Sequence, residues 1–302
     1  MTAPIDFLVI GAQKAGTTTI HDALEAHRLV SVPSQKETQF LSNPERQSRG
    51  LDWYAAQFDS AALVRGEVDP SYLYEPAAPA FVAEQGWVPK IVVVVRDPFE
   101  RALSHYQMSV RRGVEPLGFR AAIEAEPERL QSGAWADRSH YSYVDRGRYV
   151  AQIERWRQAL PGADFLFLYF DELRDAPEDT SRRLFTFLGV DPDGARLGHA
   201  HQSGAARSRL LAKVLWRRPA ALRRLLHRLV PSERVRSRLA HRLDQANLGA
   251  ATTPSEQADD RELRGLVWDR LPWQPDDLAE IVGRPAPADG QRWTSSNGQR
   301  SS

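Results

Sequence analysis

The chain has 302 residues, 42% hydrophobic and 26% charged, with a net charge of +1 and no cysteine. That balance suits a globular domain with a core of ordinary size. It excludes disulfides, zinc–thiolate sites and a cysteine nucleophile, and it offers no global positive charge for nucleic acid. No run reaches the ~20 apolar residues of a membrane span. The opening stretch MTAPIDFLVIGAQ lacks a basic leader region. The expected compartment is the cytoplasm.

Ile5 to Ile10 is an almost unbroken apolar run closed by Gly11, the pattern of a strand buried on both faces of a parallel sheet. Thr17 to His27 reads as helix, with Ile20, Leu24 and His27 on one face. Leu63 to Asp69 has a fainter strand pattern. Lys90 to Val95, KIVVVV, is a strand dense in β-branched residues, and Pro98 can open the helix after it. Tyr149, Ile153, Trp156 and Leu160, spaced 4, 3 and 4 apart, form one helical stripe. Asp164 to Phe170 is a further strand, followed by a helix from Pro177 to Leu188 that Gly189 ends. The alternation predicts an α/β fold with a mainly parallel central sheet flanked by helices, as one domain over residues 1–283. Within it, residues 206–243 are rich in Arg and Leu and predict a helical segment. Its leucines can pack on the core beneath a solvated basic face, or the segment can meet an anionic membrane or an acidic acceptor. Residues 284–302, with Pro, Ala, Gly and Ser, predict a partly disordered tail.

Ligands of such sheets bind beyond the carboxyl ends of the strands, which points to residues 11–18 and 96–104. GAQKAGTT places Gly11 and Gly16 at the GxxxxG spacing of a phosphate-binding turn. Successive N–H groups can curl toward an anion there, and the following helix adds its positive end. The nucleotide triphosphatase signature would continue Gly-Lys-Ser/Thr. Here Thr17 and Thr18 follow Gly16, and the lysine, Lys14, lies inside the turn. Asp97 is the one candidate at a strand end to hold magnesium, and Pro98 follows it. The turn alone leaves three readings open: a structural turn, a P-loop kinase of small molecules, and a nucleotide-binding protein without catalysis.

The companion motifs narrow the choice. IGAQKAGTTTI resembles the 5'-phosphosulfate loop of sulfotransferases that use 3'-phosphoadenosine 5'-phosphosulfate (PAPS), and VVRDPFERALSHY, residues 94–106, resembles their 3'-phosphate motif. QKETQFLS, 35–42, and GLDWYAAQF, 50–58, are similar to the base-bearing segment of the heparan-sulfate-type, N-/3-O-sulfotransferase-like branch. GRYVAQIERWRQALPGADFLFLYFDEL matches in order and type, so the resemblance runs over roughly residues 5–200 and thins beyond. The Arg- and Ala-rich, Lys-poor composition suits a bacterial member.

The resemblance implies sulfuryl transfer from PAPS, as co-substrate and without a metal, to a hydroxyl or amine of a glycan, lipid or natural product. It makes Glu37 the general base, with His105 and His140 as alternatives, and sets Lys14 on the leaving group. Gln13, Lys14, Ala15, Gly16, Thr17 and Thr18 would hold the 5' end of the co-substrate, Arg96 and Ser104 its 3'-phosphate, and Arg207, with Arg209, would cap it. Two positions depart from the pattern. A second lysine of the branch is replaced by Val68, flanked by Glu67 and Asp69, so leaving-group stabilisation rests more on Lys14 or on an arginine from elsewhere. The histidine two residues after the base is Gln39. Residues 107–146 would build the acceptor pocket, with Trp135, His140, Tyr141 and Tyr143 as aromatic walls or as ordinary packing. Peripheral membrane contact would fall to 206–243, and the oligomeric state is open.

Overall fold

The computed structural model describes residues 4–33, 36–198, 257–287 and 293. The chain begins with β1 (Phe7–Gly11), α1 (Thr17–Ala26), β2 (Val30–Ser31), α2 (Pro44–Gln47), α3 (Leu51–Ala55) and β3 (Val64–Val68). It continues through α4 (Ala77–Glu84), β4 (Lys90–Val95), α5 (Pro98–Arg111), α6 (Phe119–Leu130) and α7 (Trp135–Tyr141). A 3-10 turn (Asp145–Gly147) leads to α8 (Tyr149–Ala159), β5 (Phe165–Tyr169), α9 (Phe170–Asp175) and α10 (Pro177–Leu188). After the undescribed stretch come α11 (Gln257–Trp268) and α12 (Pro275–Val282).

The five strands lie in the order β2-β3-β1-β4-β5, all parallel. β1 is buried throughout and β4 everywhere but Lys90, as their unbroken apolar runs require of strands covered on both faces. Val9 of β1 pairs with Val68 on one side and Val92 on the other. This register brings the carboxyl ends of β1, β3 and β4 side by side, so the segments after Gly11, Val68 and Val95 leave the sheet as neighbours.

Strands expected at 5–10, 63–69, 90–95 and 164–170 form within two residues of those bounds. The stripe of Tyr149, Ile153, Trp156 and Leu160 is buried on or just after α8, and Gly189 ends α10 in the left-handed conformation. The two-residue β2 is too short to leave a period in sequence.

The last described elements dock on the start of α5, where Arg264 of α11 pairs with Asp97 and Glu100, and on the segments around Gly147 and α9. Trp273 Nε1 donates to the carbonyl of Gly147 at 2.9 Å, and its ring lies 5.4 Å from that of Trp268. Arg284 reaches Glu172 at 2.7 Å and Trp293 is buried beside Tyr169. The segment 206–243, Arg207 and Arg209 with it, and most of 284–302 lie outside the described residues. No helix among the described residues is long and apolar enough to cross a membrane.

Candidate active site

The turn after β1 is closely built. A Cβ on Gly11 would approach Cβ of Leu73 to 2.7 Å, because Leu73 N–H bonds to the carbonyl of Ile10 at 2.7 Å. Gly16 has φ 84°, and a Cβ there would meet the Phe170 ring at 3.0 Å, so the turn needs glycine for both conformation and space. Gly16 is also the N-cap of α1, which has neither a side-chain cap nor an acidic residue in its first turn. The positive end of α1 is therefore not neutralised locally. Thr17 and Thr18 open that helix, Ala15 is buried, and Gln13 keeps a buried amide oxygen without a hydrogen-bond partner.

Among the described residues, three non-glycines have positive φ: Lys14 at 71°, Glu37 at 63° and Gln39 at 58°. Such conformations persist only where the surroundings impose them, and they concentrate at functional sites. For Lys14 one restraint is visible: Arg96 Nη1 donates to its carbonyl at 3.1 Å. Lys14 keeps part of its surface open. Burial, then the charges of Arg111, Arg112, Arg96 and Lys36, lower its pKa to about 7. A cation-rich corner of this kind stores the attraction that an incoming anion releases.

The restraint on Glu37 comes from the two acids that flank Val68. Buried Glu67 accepts the Thr38 N–H at 2.6 Å, together with the hydroxyls of Tyr54 at 2.9 Å and Tyr72 at 2.8 Å. Asp69 accepts the N–H of Gln39 at 2.9 Å and of Ser71 at 3.0 Å. Burial raises the pKa of both, and for Asp69 the charges of Glu67 and Glu37 raise it further. Glu67 and Asp69 thus pin the amides immediately after Glu37 to the edge of the sheet. The Glu37 carboxylate accepts from Lys36 Nζ at 3.0 Å, and Lys36 also reaches Thr18 Oγ1 at 2.9 Å. Burial pushes the Glu37 pKa up, but the charge and hydrogen bond of Lys36, with the charges of Arg112 and His21, outweigh it and hold the carboxylate below its ordinary range.

Arg96 directly follows β4. Its acid partner is Glu100, at 3.3 Å, and its guanidinium lies 4.5 Å from the Phe170 ring centre. Asp97 caps α5 by accepting from the Glu100 N–H at 2.9 Å, and it pairs with Arg264 at 2.9 Å. Ser104 is buried within α5. His105 is fully buried, 5.0 Å from the Tyr143 ring, and burial followed by the charges of Arg146, Arg101 and Lys14 holds it neutral. His140 is partly exposed, with its pKa lowered by burial and by Arg112. Tyr143 packs in the core with its hydroxyl on Glu115 at 2.8 Å, so it is no pocket wall.

Four site residues escaped the sequence reading. Arg111 follows Ser104 by seven positions, about two helical turns, so its shared face was readable. Arg112 and Lys36 carried no signal beyond their charge. Arg264 reaches Asp97, at the start of α5, from a helix far along the chain, which no local pattern announces.

The comparisons agree with this geometry. The family model described as "Sulfotransferase domain" matches residues 4–203. Mouse bifunctional heparan sulfate N-deacetylase/N-sulfotransferase 4 is 30% identical over 199 residues, 62% of this chain and 22% of that protein. Mouse heparan sulfate glucosamine 3-O-sulfotransferase 3B1 is 29% identical over 185 residues, 61% of this chain and 45% of that one. The chain therefore matches less than half the length of these curated relatives. The crystal structure of a sulfotransferase from Alicyclobacillus acidocaldarius superposes with a TM-score of 0.57 at 26% identity, covering 75% of this chain and 97% of that one. With its matched region spanning the turn, both flanking motifs and the parallel sheet, the chain belongs to the sulfotransferase domain family.

Proposed function

We propose that this chain moves a sulfuryl group from PAPS to a hydroxyl or amine of an acceptor by in-line attack. The observation that carries the reading is the bridge from the Glu37 carboxylate through Lys36 to Thr18, which opens the helix after the turn that holds Lys14. Lys14 and Glu37 are both held at positive φ on neighbouring loops at one sheet edge. The residues present fit the co-substrate: an uncapped helix start, a left-handed glycine turn, and Lys14 with four further cations whose charges reach it. Bound PAPS supplies an activated sulfuryl group.

The chain's own residues then divide the work. Gln13, the backbone of 14–16, and Thr17 and Thr18 hold the 5' end. Lys14 answers negative charge as it gathers on the departing oxygen. Arg111 and Arg112 add positive potential beside Lys14, in place of the lysine that Val68 replaces. Glu37 takes the proton from the attacking hydroxyl or amine. Arg96 and Ser104 bind the 3'-phosphate, and Arg264 occupies Asp97 and Glu100, acids that would otherwise repel it. Arg207 is the proposed cap. Among glycan, lipid and natural-product acceptors, the heparan sulfate in the relatives' names supports a glycan.

Arg96→Ala tests the cofactor half of this reading. It should weaken binding of 3'-phosphoadenosine 5'-phosphate (PAP) by about 2–4 kcal/mol, the range for losing one partner of a desolvated charge pair. Binding of AMP, which lacks the 3'-phosphate, should change far less. Equal losses for both ligands, read by calorimetry, would assign Arg96 to holding the Lys14 carbonyl instead.

A further inference from the structure

Lys36 has no role in the assignments above beyond joining two loops. Its position is nevertheless specific. One ammonium hydrogen-bonds both the hydroxyl of Thr18, in the first turn of α1, and the carboxylate of Glu37. The pair is shielded, with side-chain exposures of 22% for Lys36 and 36% for Glu37. Glu67 and Asp69 fix the backbone after Glu37, yet they bind the amides of Thr38 and Gln39 and leave the Glu37 side chain to be aimed by other groups. We propose that Lys36 is a positioning residue for the transfer step: its ammonium, bonded at once to Thr18 and to Glu37, tethers the Glu37 carboxylate to the helix start beside the phosphate-binding turn and holds it as the ionised acceptor of a proton. The inference rests on the reading of Glu37 as the base.

The surroundings of Glu37 show why Lys36 dominates. His21 faces it from α1, Arg112 from the end of α5 and Asp69 from the segment after β3. Asp69 opposes ionisation. The charges of Arg112 and His21 favour it less than that of Lys36, which adds a hydrogen bond to the ionised form. A glutamate there without Lys36 keeps the desolvation and loses its chief compensation. Its charge would then persist only at higher pH.

The test begins on the ligand-free protein. Carbon-13 at the glutamate side-chain carboxyls, followed through a pH titration, reads the ionisation of Glu37, and the resonance missing from Glu37→Gln identifies it. Lys36→Met is expected to raise the midpoint by about one to three pH units, the effect of a neighbouring opposite charge. Lys36→Arg should stay close to the parent. In turnover, the acid limb of kcat/KM should move upward with the midpoint in Lys36→Met and return with Lys36→Arg. An unmoved Glu37 midpoint in Lys36→Met, in a protein that still binds PAP, overturns the proposal whatever the activity does. A midpoint that moves while the acid limb stays in place overturns Glu37 as the base, and the catalytic role of Lys36 with it.

Discussion

Lys14→Met should cut turnover by about 10²–10³-fold, the worth of one well-placed donor to developing charge, while affinity for PAPS falls much less. The separation follows from what Lys14 meets at each stage. In the proposed ground state the anion would already be shared among the uncapped α1 terminus and the arginines whose charges reach Lys14, Arg96, Arg111 and Arg112. Charge on the departing oxygen grows only as the bond breaks, and Lys14, inside the turn, is the group proposed to meet it. The same substitution has a signature without ligand. Lys14 titrates at about 7 in the folded protein against an ordinary 10.5. Between those values the unfolded chain holds the extra proton, so stability should rise with pH from about 7 upward. In Lys14→Met that rise should be absent, because no charge is then forced among the arginines. Thermal melts of both proteins across this range check it; parallel curves would mean that Lys14 is not crowded by cations.

Glu37→Gln should lower turnover by about 10²–10⁴-fold, the usual contribution of a positioned base, with PAP affinity within a few-fold of the parent. The amide keeps the size of the side chain and an oxygen for Lys36, but it cannot take a proton. The parent's rate should fall at low pH as Glu37 protonates, and the variant should lack that limb. Since Lys36 holds the Glu37 pKa below its ordinary range, the limb should lie on the acid side of a free glutamate. His105 is fully buried and poorly placed to meet an acceptor. His140 is the remaining rival, partly exposed and near Arg112. Full activity in Glu37→Gln with loss in His140→Ala would make the base a histidine.

The sheet could be read in advance because burial on both faces forces unbroken apolar runs, as at Phe7–Ile10 and Ile91–Val95. Lys14, Arg96 and Glu37 could be singled out because they lie in motifs that resemble the family's, and the roles given to them are those proposed above. The function of Glu67 and Asp69 could not be read. In sequence they looked like two acids lacking the cation expected between them. In the fold they are hydrogen-bond acceptors for the loop that carries Glu37, a relation between residues 29 and 30 positions apart. Arg264 is harder still, lying 167 residues from its partner Asp97. Local patterns record which face of an element is buried, not which distant charge will meet it.

The central claim is that the turn after β1 receives a phosphosulfate nucleotide through its own cations. Calorimetric titration of PAP at pH 8 with EDTA, in two buffers of different ionisation enthalpy, tests it most directly. At that pH most Lys14 is neutral in the free protein, since it titrates at about 7. The anion should bind without added metal and draw a proton onto Lys14, and Lys14→Met should bind without that uptake. Failure to bind PAP in EDTA, alongside tight binding of ATP with magnesium, would contradict the account and return the turn to a phosphoryl-transferring enzyme.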